Sequence, residues 1–208
     1  MTRILLVDDH PVVRQGLKQV LEDAFEPASI GEAANAEEGL SEARTAKWDI
    51  MVLDLTLPGA SGLDLLKDLK RETPELPVLV LSMHPPDQFA RRAINAGASG
   101  YLTKDTAPTE LVKAVGEVMA GRKYLNPSVI DEIAAGDRAV QPAHDVLSDR
   151  EYQVMLMIAS GKRVTEIAEE LSLSVKTISS YRARLLEKLA MKTNAELTHY
   201  VHKNHLVN

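Results

Sequence analysis

The sequence predicts an open, doubly wound α/β sheet followed by a small all-α unit. Three observations carry that reading. Four short aliphatic runs, Ile4 to Val7, Ile50 to Leu53, Val78 to Leu81 and Gly100 to Thr103, are too short for helices and lack the alternation of a half-buried strand. They read as strands buried on both faces. Helix-like stretches separate them, which forces parallel pairing. From Leu147 onward the pattern is helical throughout.

Taken in order, strands are predicted near residues 3–8, 28–33, 48–54, 77–82 and 99–103. Helices are predicted over His10 to Ala24, Asn35 to Ala46, Ser61 to Glu72, Asp87 to Ala96 and Thr109 to Ala120. Gly121 ends the fifth helix, and Asn126-Pro127-Ser128 starts a short amphipathic one. The stretch from Gly136 to Asp145 carries Gly, Pro, Gln and mixed charge without periodicity, as a linker does. The predicted organisation is a first domain over 1–121, a short helix and linker over 122–146, and a second domain over 147–208.

In an open parallel sheet the chemistry collects outside the carboxyl ends of the strands. Here those ends carry Asp8 and Asp9, Asp54, Ser82 and Lys104. An Asp at a strand end is ordinarily a cap or a turn former, but five complementary groups at four strand ends describe a pocket. Three gathered carboxylates repel, and a hard divalent cation relieves that repulsion. Mg²⁺ takes oxygen ligands and commonly couples carboxylates to a phosphate. An Asp carboxylate is also a nucleophile toward phosphoryl groups. Asp54 stands alone at its strand end and takes that role, leaving Asp8 and Asp9 as a metal-holding pair. Lys104 balances phosphoryl oxygens and Ser82 donates a hydroxyl hydrogen bond to one of them.

The 208-residue chain has a formal charge of −6, and the charge is unevenly spread. Residues 1–121 hold 12 Lys and Arg against 19 Asp and Glu, a balance of −7, whereas residues 148–208 hold 9 against 7, a balance of +2. The acidic part repels nucleic acid and the mildly basic part can approach it. There are no cysteines, which excludes disulfides and thiolate metal sites. No apolar run reaches the length of a membrane span and no signal peptide precedes the first strand, so a cytoplasmic protein without membrane contact is expected.

In the second domain, Ser148 followed by Glu151 forms a capping-box signature for a helix that runs to Gly161. Val164 to Leu171, a connection through Ser172-Leu173-Ser174, and Val175 to Leu189 then spell a helix-turn-helix unit. On its second helix Ile178, Tyr181, Leu185 and Leu189 recur at core spacing. Lys176, Ser179, Ser180, Ala183 and Arg184 then point outward, with Arg182 at the flank and Lys188 near the end. Such a face suits DNA, since recognition helices set the residues of their N-terminal half against base edges and use Arg and Lys elsewhere for phosphates. His202 and His205 have metal-capable spacing with His199 nearby, but lack acidic or Cys partners and read as a basic helix end.

Two resemblances sharpen these expectations. Asp8-Asp9, Asp54, Ser82, Tyr101 and Lys104, with Leu57-Pro58-Gly59 and Ala96-Gly97-Ala98, resemble a two-component receiver domain of flavodoxin-like fold. The resemblance implies that Asp54 is the phosphoacceptor, that Asp9, Asp54 and the Thr56 backbone carbonyl hold Mg²⁺ with Asp8 acting through water, and that Ser82 and Tyr101 are the switch pair. The family often has Pro after the Lys where this chain has Asp105, and the resemblance points to a cis peptide between Lys104 and Asp105. Leu147-Ser148-Asp149-Arg150-Glu151, Ala159-Ser160-Gly161, Thr165-Glu166-Ile167-Ala168 and Ser174-Val175-Lys176-Thr177-Ile178 resemble the LuxR-type output domain of NarL/FixJ response regulators. By family position Lys176 and Thr177 contact DNA backbone, while Ser179, Ser180 and Ala183 lie over bases. The family frequently has Lys at Ser179 and His at Tyr181, so this chain departs where the target sequence is read.

Together the resemblances imply a DNA-binding transcription regulator controlled by phosphorylation of Asp54. Its expected partners are a sensor histidine kinase, promoter DNA, a second copy of itself on phosphorylation or DNA binding, and RNA polymerase. Catalysis is expected to be limited to its own phosphoryl transfer and autodephosphorylation. Two other readings stand beside it. An aspartyl-phosphate phosphohydrolase usually needs a second Asp two residues after the nucleophile, where this chain has Thr56. A phosphorylation-independent DNA-binding protein would tolerate loss of a pocket residue, and none is lost.

Overall fold

The computed structural model describes residues 1–83, 86–125, 142–204 and 206–207. The chain divides into two compact units, Met1–Ala134 and Ala135–Asn208. Among the described residues of the first, five strands, β1 (Thr2–Val7), β2 (Ala28–Ala33), β3 (Ile50–Asp54), β4 (Val78–Ser82) and β5 (Gly100–Thr103), alternate with five helices. The helices are α1 (Pro11–Ala24), α2 (Ala36–Thr45), α3 (Gly62–Glu72), α4 (Pro86–Asn95) and α5 (Ala107–Met119).

All strand pairs are parallel, in the order β2-β1-β3-β4-β5. That is the flavodoxin-like doubly wound order, whose winding reverses between β1 and β3. β3 and β4 are buried along their whole length because helices cover both faces, which explains their unbroken aliphatic sequences. Ile4, Leu6, Ile50, Val52, Leu79 and Leu81 meet Leu111 and Val115 of α5 in one core cluster. Helix starts follow local chemistry: Asn35 accepts a hydrogen bond from the Glu38 N–H, and Ser61 from the Leu63 N–H. α5 begins two residues before the predicted Thr109, since Pro108 in its first turn lacks an N–H that would be unpaired there anyway.

Two close approaches fix the frame. Gly31 of β2 lies under the Trp48 indole, where a Cβ would fall 2.2 Å from ring carbon Cη2. β3 starts at Ile50 rather than 48, and Trp48 just before it donates its Nε1–H to the Glu42 carbonyl at 2.9 Å. At the start of α3, a Cβ on Gly62 would fall 2.3 Å from the Asp54 carbonyl oxygen, so only glycine lets the helix seat directly behind the end of β3.

The described residues of the second unit form a 3₁₀ turn (Ala143–Val146) and four helices, α6 (Asp149–Ala159), α7 (Val164–Glu170), α8 (Val175–Lys188) and α9 (Asn194–Lys203). α6 packs against α8 and α9, and α7 against α8. The capping box is formed in full, Ser148 Oγ accepting from the Glu151 N–H at 3.3 Å and Glu151 Oε2 from the Ser148 N–H at 2.8 Å. Ser174 and Thr193 cap α8 and α9 through the N–H groups of Thr177 and Glu196. The short helix predicted from Asn126 lies outside the described residues, as does His205. The last residues of the predicted linker are ordered in the 3₁₀ turn, because the His144 ring sits 2.9 Å from the Tyr200 hydroxyl and beside Tyr152.

Candidate functional sites: an acidic pocket and a helical face

The sheet brings the predicted pocket residues together at the carboxyl ends of β1, β3, β4 and β5. Asp8 follows the last residue of β1, and its N–H still bonds the Ala33 carbonyl at 3.1 Å. Asp54 ends β3 opposite Leu81, and Ser82 ends β4 opposite Thr103. Lys104 follows β5, and its N–H bonds the Ser82 carbonyl at 2.8 Å. Asp8, Asp54, Ser82 and Tyr101 are buried, while Asp9 is half-exposed.

Lys104 closes the pocket. Its Nζ lies 2.6 Å from Asp54 Oδ2 and 2.7 Å from Asp8 Oδ2. Asp54 Oδ1 accepts from the Thr56 N–H at 3.0 Å and Asp8 Oδ1 from the His10 N–H at 2.8 Å. Burial pushes the Asp54 carboxyl from its ordinary 3.8 up to about 6, with Lys104 and the Thr56 N–H holding it back only in part. Burial pulls Lys104 down, but Asp54 and Asp8 outweigh it and its net shift is upward.

The donor set fits a hard divalent cation. Asp8, Asp9, His10 and Asp54 each offer a ligand atom, and these atoms all lie within 4.8 Å of one another. Asp8 Oδ2 and Asp9 Oδ1 are buried without a well-formed hydrogen bond, although Lys104 Nζ and His10 Nδ1 stand 2.7 and 2.6 Å from them. Carboxylate oxygens left in that condition are what such an ion satisfies. Sequence reasoning misses His10 as a pocket residue; its place directly after Asp8-Asp9 is the available signal. The peptide between Lys104 and Asp105 is trans, contrary to the resemblance: the cis peptide among the described residues is Glu26–Pro27. Asp105 is not a proline, so the ordinary amide preference for trans holds at that bond.

On the second unit, α8 presents Lys176, Ser179, Ser180, Ala183 and Arg184 to solvent, with Thr177 and Arg182 half-exposed. Ile178 and Leu185 are buried as predicted. Tyr181 and Leu189 are only half-buried, and Leu186 is buried although the periodicity does not single it out. Two basic residues of this face are held by neighbours. Lys188 Nζ lies 2.6 Å from Glu151 Oε2, and Arg182 Nε donates to Asn194 Oδ1 at 2.6 Å. The Arg184 guanidinium lies 6.0 Å from the centre of the Tyr181 ring.

A parallel five-stranded sheet carrying this pocket, followed by a helix-turn-helix unit, defines a DNA-binding two-component response regulator. Comparison with known proteins gives the same answer. Residues 4–116 match the response regulator receiver domain, and residues 145–201 match the luxR family of bacterial regulatory proteins. The response regulator UvrY of Escherichia coli K12 is 36% identical over 211 residues, spanning 100% of this chain and 97% of its own length. The response regulator GacA of Pseudomonas aeruginosa is 37% identical over 202 residues, spanning 95% and 94%. Among solved structures, RcsB of Salmonella enterica serovar Typhimurium bound to promoter rprA with the phosphomimetic BeF₃⁻ is 28% identical, with a TM-score of 0.62 over 97% of this chain and 98% of that one. The chain belongs to the NarL/FixJ family of response regulators, with a LuxR-type DNA-binding domain. No helix among the described residues is long and apolar enough to cross a membrane.

Proposed function

We propose that Asp54 accepts a phosphoryl group from a sensor histidine kinase and that its phosphorylation controls promoter binding by the α8 face. The observation that carries this reading is the Asp54, Lys104 and Asp8 cluster at the β1/β3 switch point. A carboxylate oxygen of Asp54 attacks phosphorus, the bond to the donor's leaving group breaks, and an acyl phosphate forms on Asp54. Lys104, already drawn to this point by two carboxylates, pairs with a phosphoryl oxygen, and the Ser82 hydroxyl donates to another. Asp9, Asp54 and the Thr56 carbonyl, with Asp8 through water, would hold Mg²⁺, which neutralises the phosphoryl oxygens when bound. Catalysis is confined to this transfer and to hydrolysis of the acyl phosphate by water.

The response is read by Ser82 and Tyr101. Movement of Ser82 toward the phosphoryl group changes the space beside the buried Tyr101, and with it the surface of α4, β5 and α5. Pairing with a second copy follows on phosphorylation or DNA binding. An apolar cleft of about 280 Å³ between α1 and α5, with Val12 84% exposed at its lip, supports a protein-binding surface on this unit. Lys176 and Thr177 contact DNA backbone, Ser179, Ser180 and Ala183 lie over bases, and Arg182, Arg184 and Lys188 face phosphates. The protein acts on the chromosome in the cytoplasm, with RNA polymerase as a further partner. Footprinting of the full chain on genomic fragments, with and without acetyl phosphate and Mg²⁺, tests this reading. Protection that depends on phosphorylation and disappears in Asp54→Asn is expected; equal protection in all samples would favour a phosphorylation-independent binder.

A further inference from the structure

We infer that Asn194 is a positioning residue for DNA binding, holding the Arg182 guanidinium so that its free edge meets a DNA phosphate. The inference rests on the reading of the α8 face as the DNA surface.

Arg182 and Asn194 come from different helices, and their side chains meet at 2.6 Å. Arginine has no acceptor, so Asn194 contributes its oxygen, and its amide nitrogen is thereby turned away from the guanidinium. Only Nε of Arg182 is engaged by this contact. Both Nη groups, the pair that grips a phosphate in two parallel hydrogen bonds, are left over. This is the side chain's one polar partner among the described residues. Of the other basic groups on this face, Lys188 pairs with Glu151 and the Arg184 guanidinium lies 6.0 Å from the centre of the Tyr181 ring.

Place and rigidity favour phosphate over base contact. Three residues on a helix turn through 300°, which sets Arg182 about 60° from Ser179, at the edge of the exposed face where a DNA backbone would pass. Asn194 is the first residue of α9, directly after the Thr193 cap, so its backbone is fixed by the helix start. A free arginine loses rotamer freedom when it grips a phosphate, and one already held by Asn194 loses less. Immobilising such a side chain weakens binding by a factor of roughly two to ten.

The test uses the full chain and a duplex of mixed sequence, about 30 base pairs long, because phosphate contacts are sequence-independent. Affinity is measured by fluorescence anisotropy over a salt series for wild type, Arg182→Ala, Asn194→Ala, the double variant and Asn194→Asp, with thermal melts alongside. Arg182→Ala should lower the slope of log affinity against log salt by about 0.9. Asn194→Ala should keep the wild-type slope, lose roughly twofold to tenfold in affinity, and have no effect when Arg182 is already Ala. Asn194→Asp retains the acceptor and suits the α9 N-terminus, so its melting temperature should not fall, yet its charge captures the guanidinium and DNA affinity should drop. An unchanged slope in Arg182→Ala, or an equal effect of Asn194→Ala with and without Arg182, overturns the inference. Absence of DNA binding by wild type would instead overturn the reading of the second unit, and the inference with it.

Discussion

Lys104 and Asp54, 50 residues apart in the chain, meet with Nζ 2.6 Å from Oδ2, and the same Nζ lies 2.7 Å from Asp8 Oδ2. One cation thus faces two buried carboxylates that arrive from different strands and balances only one of their charges, in the position where a phosphoryl group and its counter-ion would compete for the same atoms. Removing one partner of such a pair leaves uncompensated buried charge. Lys104→Met should therefore destabilise the first unit by about 3 kcal/mol in chelator-treated buffer, and millimolar Mg²⁺ should recover part of the loss. Urea unfolding with and without Mg²⁺ decides it; a loss that Mg²⁺ leaves untouched would mean that the carboxylates are not the source.

The Asp54 carboxyl gives a pH signature of opposite sign to an ordinary paired carboxylate. Its folded pKa, raised to about 6 from 3.8, makes the folded state bind a proton more tightly than the unfolded chain. Metal-free stability should fall as pH rises from about 4 to about 6 and stay level above, by about 3 kcal/mol for a shift of this size. Asp54→Asn lacks the group, so the difference between wild type and variant should grow across that window. Parallel stability curves from about pH 4 to 7 would show that burial does not hold this carboxyl neutral.

Ser82 is fully buried at the end of β4, with Tyr101 buried on the neighbouring strand. Ser82→Ala should be phosphorylated like wild type and yet gain little DNA affinity on phosphorylation, since it lacks the hydroxyl proposed to read the phosphoryl group. Anisotropy before and after acetyl phosphate treatment measures this. A full response in the variant would remove Ser82 from the switch.

The α8 face separates free from committed lysines. Lys176→Ala should weaken binding to all sequences alike and lower the salt slope by about 0.9. Lys188 is held by Glu151, the residue that also closes the α6 capping box, so Lys188→Ala should lower the melting temperature as well as DNA affinity. Ser180→Lys and Ala183→Lys should instead shift the selected base at one or two positions, each worth about 1–3 kcal/mol. Identical motifs from a binding-site selection would place the wrong face of this helix in the groove.

The sheet and its pocket are legible in the sequence because unbroken aliphatic runs demand burial on both faces, and a parallel sheet sends the following residue of each run to one edge. Asp8, Asp54, Ser82 and Lys104 therefore announce their meeting without any geometry. The features that stay hidden depend on contacts between distant segments. Glycine at 62 looks like an ordinary turn residue until α3 is seen against the Asp54 carbonyl. The ties of Lys188 to Glu151 and of Arg182 to Asn194 cross between helices whose relative rotation no periodicity specifies.

Phosphorylation at Asp54, on which the proposed function turns, can be read directly by mass. Wild type and Asp54→Asn, which keeps the size of the side chain but not its nucleophilic carboxylate, are treated with acetyl phosphate and Mg²⁺ and compared by intact-mass spectrometry. One phosphoryl adduct is expected on wild type, labile to hydroxylamine as an acyl phosphate is, and none on the variant. A full adduct on Asp54→Asn, or an adduct on wild type mapped to another residue, would contradict it.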